Sequence, residues 1–219
     1  MLYLEGKTML DDRPLLITHM TNTNIVPCMS FSTITLDLEA KYGPADFQDR
    51  FPESWLLSTT IGTQTGCAPE VLVQITGDDK DFVTRTFLAV TLAYDLPIVL
   101  DGGGLTSTFK KTWDLIRNFG YGSKEIKVYP CWDSNTPLKI LTPNTRSVLY
   151  LNPQKNEAIV VVSDFGAGGK SIVDISNLGF KPMIVRDLEN QKSIEVTENR
   201  LEVELKKHDF NIIILKERE

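Results

Sequence analysis

The arrangement of hydrophobic and polar positions along the chain changes near residue 135. Before this point, apolar runs of strand length alternate with polar loops and with segments that have helical spacing. Strands are predicted over residues 13–19, 32–39, 55–62 and 96–100. Helices are predicted over residues 68–75, 79–94 and 106–119. This recurrence predicts parallel strands joined by helical crossovers.

After Pro137 the pattern predicts strands only. Apolar and polar residues alternate with a period of two in several short runs, and Asn-, Gly- and Lys-rich turns separate them. The predicted strands cover residues 148–151, 158–162, 171–175, 183–186, 193–196, 201–205 and 211–215. Such alternation buries one face of a sheet and exposes the other, which is typical of a β-sandwich.

The predicted fold class is therefore α/β plus all-β, in two domains. Residues 1–135 are predicted to form the C-terminal half of a (β/α) barrel of the TIM type, and residues 136–219 an antiparallel β-sandwich. Only three or four parallel strands can be recognised, whereas a closed barrel needs eight strands and roughly 250 residues. A small open parallel sheet is the alternative for the first domain.

Composition excludes several classes of partner. The chain of 219 residues has a net charge of −6 and no cluster of Lys and Arg, so no nucleic-acid partner is expected. No apolar run approaches the roughly 20 residues of a membrane helix, so no span is expected. Cys28, Cys67 and Cys131 lack the spacing of a metal site or a disulfide framework, and no metal or cofactor is expected.

The candidate site residues are the polar residues that follow the predicted strands. In a barrel, ligands bind at the C-terminal ends of the strands and in the loops that follow them. This rule selects residues after each of the four predicted strands, namely His19, Asn22, Asp37, Glu39, Gln64 and Asp101.

Asp37 and Glu39 are the candidate catalytic residues. Two positions apart in an extended segment, their side chains would lie on one face, with Cα atoms roughly 6.5–7 Å apart. Glycoside hydrolysis needs two carboxyl groups at about this separation, one protonated as acid and the other ionised. The alternative is that both are solvated acids in the first turn of a helix.

The other candidates are predicted to bind substrate. Asp101 precedes three glycines and is suited to hold sugar hydroxyls, or else it caps its own turn. His19 at a strand end is a sugar-binding candidate or a structural histidine. Trp132 is suited to stack on the apolar face of a sugar, or else Tyr129, Trp132 and Asp133 form an interface with the sandwich.

Five segments resemble the C-terminal part of large bacterial glycoside-hydrolase-like proteins, similar to the glycoside hydrolase family 123-like group. They are LDLEAKYG at 36–43, DFQDRF at 46–51, TRTFLAV at 84–90, FGYG at 119–122 and VRDLE at 185–189. The resemblance implies a TIM barrel between two β-sandwiches and hydrolysis of glycans. That family uses adjacent Asp and Glu residues, with Asp orienting a substrate acetamido group, whereas one residue separates Asp37 from Glu39 here.

The resulting hypothesis is that the chain is part of a glycoside hydrolase that acts on an oligosaccharide or glycan. Glu39 would act as general acid and Asp37 would stabilise the developing charge. An N-terminal portion of the same protein is expected to supply the missing half of the barrel. The protein would be extracytoplasmic if that portion carries a signal peptide, and cytoplasmic otherwise. The alternative is a non-catalytic carbohydrate-binding or structural accessory module.

Overall fold

The computed structural model describes residues 17–19, 32–40, 46–59, 68–74, 79–101 and 106–218. The chain divides into two compact units. The parallel unit comprises residues 1–80 and 96–104, and the antiparallel unit comprises residues 81–95 and 105–219. Among the described residues, no helix is long and apolar enough to cross a membrane.

The parallel unit contains a four-stranded sheet whose strands are arranged in chain order. Its strands are β1 (Ile17–His19), β2 (Ile34–Ala40), β3 (Ala68–Gln74) and β4 (Ile98–Asp101), and every neighbouring pair is parallel. Helices α1 (Phe47–Arg50) and α2 (Glu53–Thr59) lie between β2 and β3 in the chain. The parallel pairing is confirmed, as are the strands predicted at residues 32–39 and 96–100.

Two predicted elements in this unit are wrong because the helix and strand assignments are reversed. The run after Pro52 forms helix α2 instead of a strand, and Leu56 is fully buried while Trp55 and Leu57 are exposed. A short apolar run is compatible with either structure, so the pattern alone could not decide.

The second reversal concerns residues 68–74, which form β3 instead of a helix. Pro69 and Glu70 indicated a helix start, but this segment pairs with β2 on one edge and β4 on the other. The continuous apolar run Val71-Leu72-Val73 is typical of a central parallel strand. Pro69 is tolerated because it lies at the start of that strand.

The antiparallel unit contains two antiparallel sheets. Its strands are β5 (Lys127–Tyr129), β6 (Lys139–Ile140), β7 (Thr145–Asn152), β8 (Glu157–Asp164), β9 (Gly169–Asp174), β10 (Ile184–Asp187), β11 (Val196–Thr197), β12 (Arg200–Leu205) and β13 (Phe210–Lys216). One sheet has the order β10-β13-β8-β7-β5 and the other has the order β11-β12-β9-β6. All seven predicted strands are found, although the one at 193–196 is reduced to β11 and an isolated bridge between Ser193 and Arg186.

Both sheets contribute to one hydrophobic core. Leu149, Val160 and Ile213 come from the five-stranded sheet, and Val173 and Leu201 come from the four-stranded one. Burial alternates along β12, where each apolar residue is buried and each charged residue is exposed. The period-two pattern of the sequence therefore identifies the buried face correctly.

Helices α3 (Lys80–Tyr94) and α4 (Ser107–Phe119) confirm the helices predicted over residues 79–94 and 106–119. The Thr106 hydroxyl caps α4 by accepting a hydrogen bond from the Phe109 amide at 3.1 Å. Gly120 ends the helix with a φ of 112°, which favours glycine. The rings of Phe87 and Phe109 join the two helices at a centroid distance of 6.3 Å.

The antiparallel sheets begin earlier in the chain than the pattern indicates. Strand β5 precedes Pro137 and pairs with β7, with Val128 opposite Tyr150. Three residues are too few to show an alternation, so the pattern could not indicate this strand. The domain boundary between residues 135 and 136 stays a prediction.

Candidate functional site

The carboxyl ends of four parallel strands define the candidate site. His19 is the last residue of β1, Gln74 of β3 and Asp101 of β4, while Glu39 is the penultimate residue of β2. Parallel strands place their carboxyl ends at the same edge of a sheet, and this edge binds ligands in α/β folds. The backbone therefore brings three of the predicted residues, His19, Glu39 and Asp101, to one edge.

The two candidate catalytic carboxylates occupy different positions in the ladder between β2 and β3. Glu39 pairs with Leu72, while the register shifts between Leu36 and Leu38, which is where Asp37 lies. Such an irregularity interrupts the regular two-residue alternation of a strand. The predicted relationship between Asp37 and Glu39 relied on that alternation, and their shared role stays a prediction.

Gln74 takes the position that sequence reasoning gave to Gln64. Gln64 and Asn22 lie outside the described residues. The strand predicted just before Gln64, at residues 55–62, is replaced by helix α2 (Glu53–Thr59). The third strand of the sheet is β3 instead, and its last residue, Gln74, pairs with Asp101 of β4. Sequence reasoning missed Gln74 because it assigned residues 68–75 to a helix.

Trp132 lies in the antiparallel unit and is hydrogen-bonded to the end of helix α3. Its indole nitrogen donates a hydrogen bond to the Tyr94 carbonyl at 3.1 Å, and the Cys131 amide donates to the Ala93 carbonyl at 2.9 Å. These two carbonyls end helix α3, where helical partners are lacking. The side chain of Trp132 nevertheless remains 64% exposed, whereas Tyr129 packs against the hydrophobic core.

A partly buried carboxyl group follows the same helix end. Asp95 has a φ of 54°, and its carboxylate accepts a hydrogen bond from the Tyr121 hydroxyl at 3.0 Å. Burial raises the pKa of Asp95, and the hydrogen bond from Tyr121 opposes that rise. Burial, together with the charge and hydrogen bond of Asp95, raises the pKa of Tyr121 to about 12. The pair therefore links the residue that follows helix α3 to the residue after Gly120, which ends helix α4.

Arg85 forms a polar network that the sequence did not reveal. Its guanidinium pairs with Glu189 at 2.8 Å and with Asp209, and it lies over the Phe210 ring at 4.4 Å. Burial lowers the pKa of Arg85, but hydrogen bonds and charges from Glu189 and Asp209 outweigh burial and raise it overall. The partners are separated by 104 and 124 residues in the chain, so no local pattern could indicate this network.

Comparison with known proteins shows the class of fold. No protein-family model matches the chain, and no curated protein matches it significantly. A maltogenic α-amylase from Thermotoga neapolitana matches over 98% of this chain and 58% of its own, with a TM-score of 0.52 and 14% identity. An α-galactosidase from Mortierella vinacea matches over 98% of this chain and 62% of its own, with a TM-score of 0.52 and 13% identity.

A third solved structure gives the same result. A β-L-arabinopyranosidase from Geobacillus stearothermophilus matches over 98% of this chain and 54% of its own, with a TM-score of 0.53 and 12% identity. The chain thus spans a little over half the length of each of these enzymes. At such low identity the likeness shows the fold alone, and the fold is glycoside-hydrolase-like.

Proposed function

We propose that this chain is part of a glycoside hydrolase that cleaves glycans by carboxylate chemistry at the carboxyl edge of the parallel sheet. One observation carries the proposal: four parallel strands follow one another in chain order, and a polar residue lies at or next to the carboxyl end of each. Antiparallel sheets follow in the chain, as the interpretation of a barrel followed by a β-sandwich requires.

The strand order favours a barrel over an open sheet. An open, doubly wound sheet binds its ligand where the strand order reverses, and no reversal occurs among β1, β2, β3 and β4. A barrel adds each strand beside the previous one, and four strands are half of the eight that it needs. We propose that the other half belongs to an N-terminal portion of the same protein.

In the proposed mechanism, Glu39 protonates the leaving glycosidic oxygen as general acid. Asp37 stabilises the positive charge that develops on the sugar ring. His19, Asn22, Gln64 and Asp101 hold sugar hydroxyls. Gln74 joins them from the end of β3. If the narrower resemblance to the family 123-like group holds, Asp37 instead orients an acetamido group of the substrate.

The test is the substitution Glu39→Gln in the full-length protein, assayed on a panel of aryl glycosides. Losing a general acid is expected to lower turnover by about 10²–10⁴-fold. Glu195→Gln is the matched control, because Glu195 is an exposed carboxylate in the antiparallel unit. Unchanged activity of Glu39→Gln would remove Glu39 from the mechanism.

Trp132 favours a second candidate function, non-catalytic carbohydrate binding. An indole that is fixed through its only donor and still 64% exposed offers a flat face for a sugar ring. Trp132→Leu is expected to weaken glycan binding by about two- to twelvefold, given about 0.5–1.5 kcal/mol for aromatic stacking. Trp55→Leu is the control, because Trp55 is the other exposed tryptophan of the described residues. Binding by glycan array without any hydrolysis supports this second function over the first.

A further inference from the structure

The antiparallel unit contains a polar cavity of about 480 Å³. Its walls come from helices α3 and α4, the turn after β10, and the ends of β12 and β13. Arg85, Lys111, Glu189, Lys206 and Asn211 are among the residues that line it. Its volume lies in the range of roughly 300–1,000 Å³ that is usual for small-molecule sites.

One wall of the cavity is held rigidly. Arg85 donates to both carboxylate oxygens of Glu189, at 2.8 and 3.2 Å, and to the Phe210 carbonyl at 2.5 Å. Its Nε atom donates to Asp209, and the Phe210 ring supports the guanidinium plane. Lys111 Nζ donates to the Glu189 carbonyl at 3.0 Å. The wall is therefore formed before any ligand arrives, which lowers the entropic cost of binding.

The charges around the cavity balance. Three cations and three carboxylates line it: Arg85, Lys111, Lys206, Glu189, Glu204 and Asp209. Arg85 is already paired with two of the carboxylates, so the cavity offers no strong attraction for either an anion or a cation. A neutral ligand is the class that such a lining favours.

Donors and acceptors remain available for that ligand. Within the described part of the chain, neither the side-chain amide of Asn211 nor the Lys206 ammonium has a hydrogen-bond partner. Lys111 retains two further N–H donors after bonding the Glu189 carbonyl. Amide and ammonium groups bond well to adjacent hydroxyls, because each hydroxyl both donates and accepts.

We infer that this cavity binds a neutral oligosaccharide through its hydroxyl groups. The choice of a saccharide among neutral polyols rests on the proposed function. The cavity lies in the antiparallel unit, and none of its lining residues belongs to the carboxyl edge of the parallel sheet. It would therefore hold glycan by residues that take no part in bond cleavage.

The test is calorimetric titration of the full chain with maltotriose and with galactobiose. Lys206→Ala and Asn211→Ala are each expected to weaken binding of one of these sugars by about three- to tenfold, the effect of one lost hydrogen bond. Lys207→Ala is the matched control, since Lys207 is the neighbouring lysine and does not line the cavity. The affinity of the Lys207→Ala variant for either sugar is expected to equal that of the unmodified chain. Melting temperatures of all variants exclude loss of folding as the cause.

Three results would overturn the inference. They are no binding of either sugar, equal affinity in Lys206→Ala and the unmodified chain, or Lys206-dependent binding of inorganic phosphate in place of the sugars. Turnover of aryl glycosides by the same variants separates this inference from the proposed function. Weakened sugar binding by Lys206→Ala with normal turnover supports the cavity as a binding site. Normal turnover together with unchanged sugar binding by Lys206→Ala refutes the cavity site and leaves the proposed function standing.

Discussion

Replacing Arg85 with methionine is expected to destabilise the antiparallel unit strongly. Methionine keeps an apolar stem of similar length but removes the guanidinium that bonds Glu189, Asp209 and the Phe210 carbonyl. Both carboxylates then lose their cation while they remain largely shielded from water. Their side chains are only 10% and 19% exposed, and that of Arg85 is 24% exposed.

The magnitude follows from this burial. Removing one partner of a buried ion pair typically costs about 3–5 kcal/mol, because the other charge is left uncompensated. Partial exposure of Arg85 lowers that figure, so we expect Arg85→Met to reduce the free energy of unfolding by about 2–4 kcal/mol. A typical domain has only about 5–15 kcal/mol in total.

A surface ion pair provides the matched control. Lys170 and Glu202 are 2.7 Å apart, but their side chains are 58% and 44% exposed. Lys170→Met is expected to change the free energy of unfolding by about 0–1 kcal/mol, since exposed pairs contribute little. The difference in unfolding free energy between Arg85→Met and Lys170→Met therefore measures the effect of burial on an ion pair.

The assay is urea denaturation followed by circular dichroism, with the free energy of unfolding extrapolated to water. A triple variant, Arg85→Met with Glu189→Gln and Asp209→Asn, is expected to recover part of the loss because no carboxylate remains unpaired. If Arg85→Met and Lys170→Met cost the same, the reasoning from burial is refuted.

Two further predictions concern the antiparallel unit. The buried carboxylate of Asp164 accepts hydrogen bonds from the backbone amides of Gly166, Gly168 and His208 at 2.9–3.1 Å. Asp164→Ala should therefore lower the free energy of unfolding, measured by urea denaturation, by about 2–4 kcal/mol. A loss below about 1 kcal/mol would contradict this expectation. The pKa of Tyr121 is about 12 in the folded chain and about 10 in the unfolded chain, so the folded state holds the phenol proton more tightly. The contribution of Tyr121 to stability is therefore complete below about pH 10 and is lost as the pH rises toward 12. Melting temperatures of Tyr121→Phe should fall less steeply over that interval, and an identical fall would count against the raised pKa.

The sequence indicated the placement of part of the candidate site. His19, Glu39 and Asp101 end or nearly end strands, as the pattern predicted, because a strand followed by a polar loop is a local signal. Gln74 was missed because the strand that carries it resembles a helix start. Asn22 and Gln64 lie outside the described residues, and their role stays a prediction.

The sequence by itself determined seven of the nine antiparallel strands, β7 to β13, and helix α4. Alternation with a period of two places β12 and its buried face, and a threonine cap and a glycine stop bound the helix. These signals act over a few residues, so they do not depend on the rest of the fold.

Only the tertiary structure decided the identity of α2 and β3 and the assembly of the Arg85 network. Residues 53–59 and 68–74 each contain a short apolar run that both helix and strand accommodate. Pairing with β2 and β4 on its two edges makes β3 a strand. Arg85 meets Glu189 and Asp209 across more than a hundred residues of chain. Local propensities differ by about 1 kcal/mol or less per residue, so hydrogen bonds and burial supplied by distant segments outweigh them.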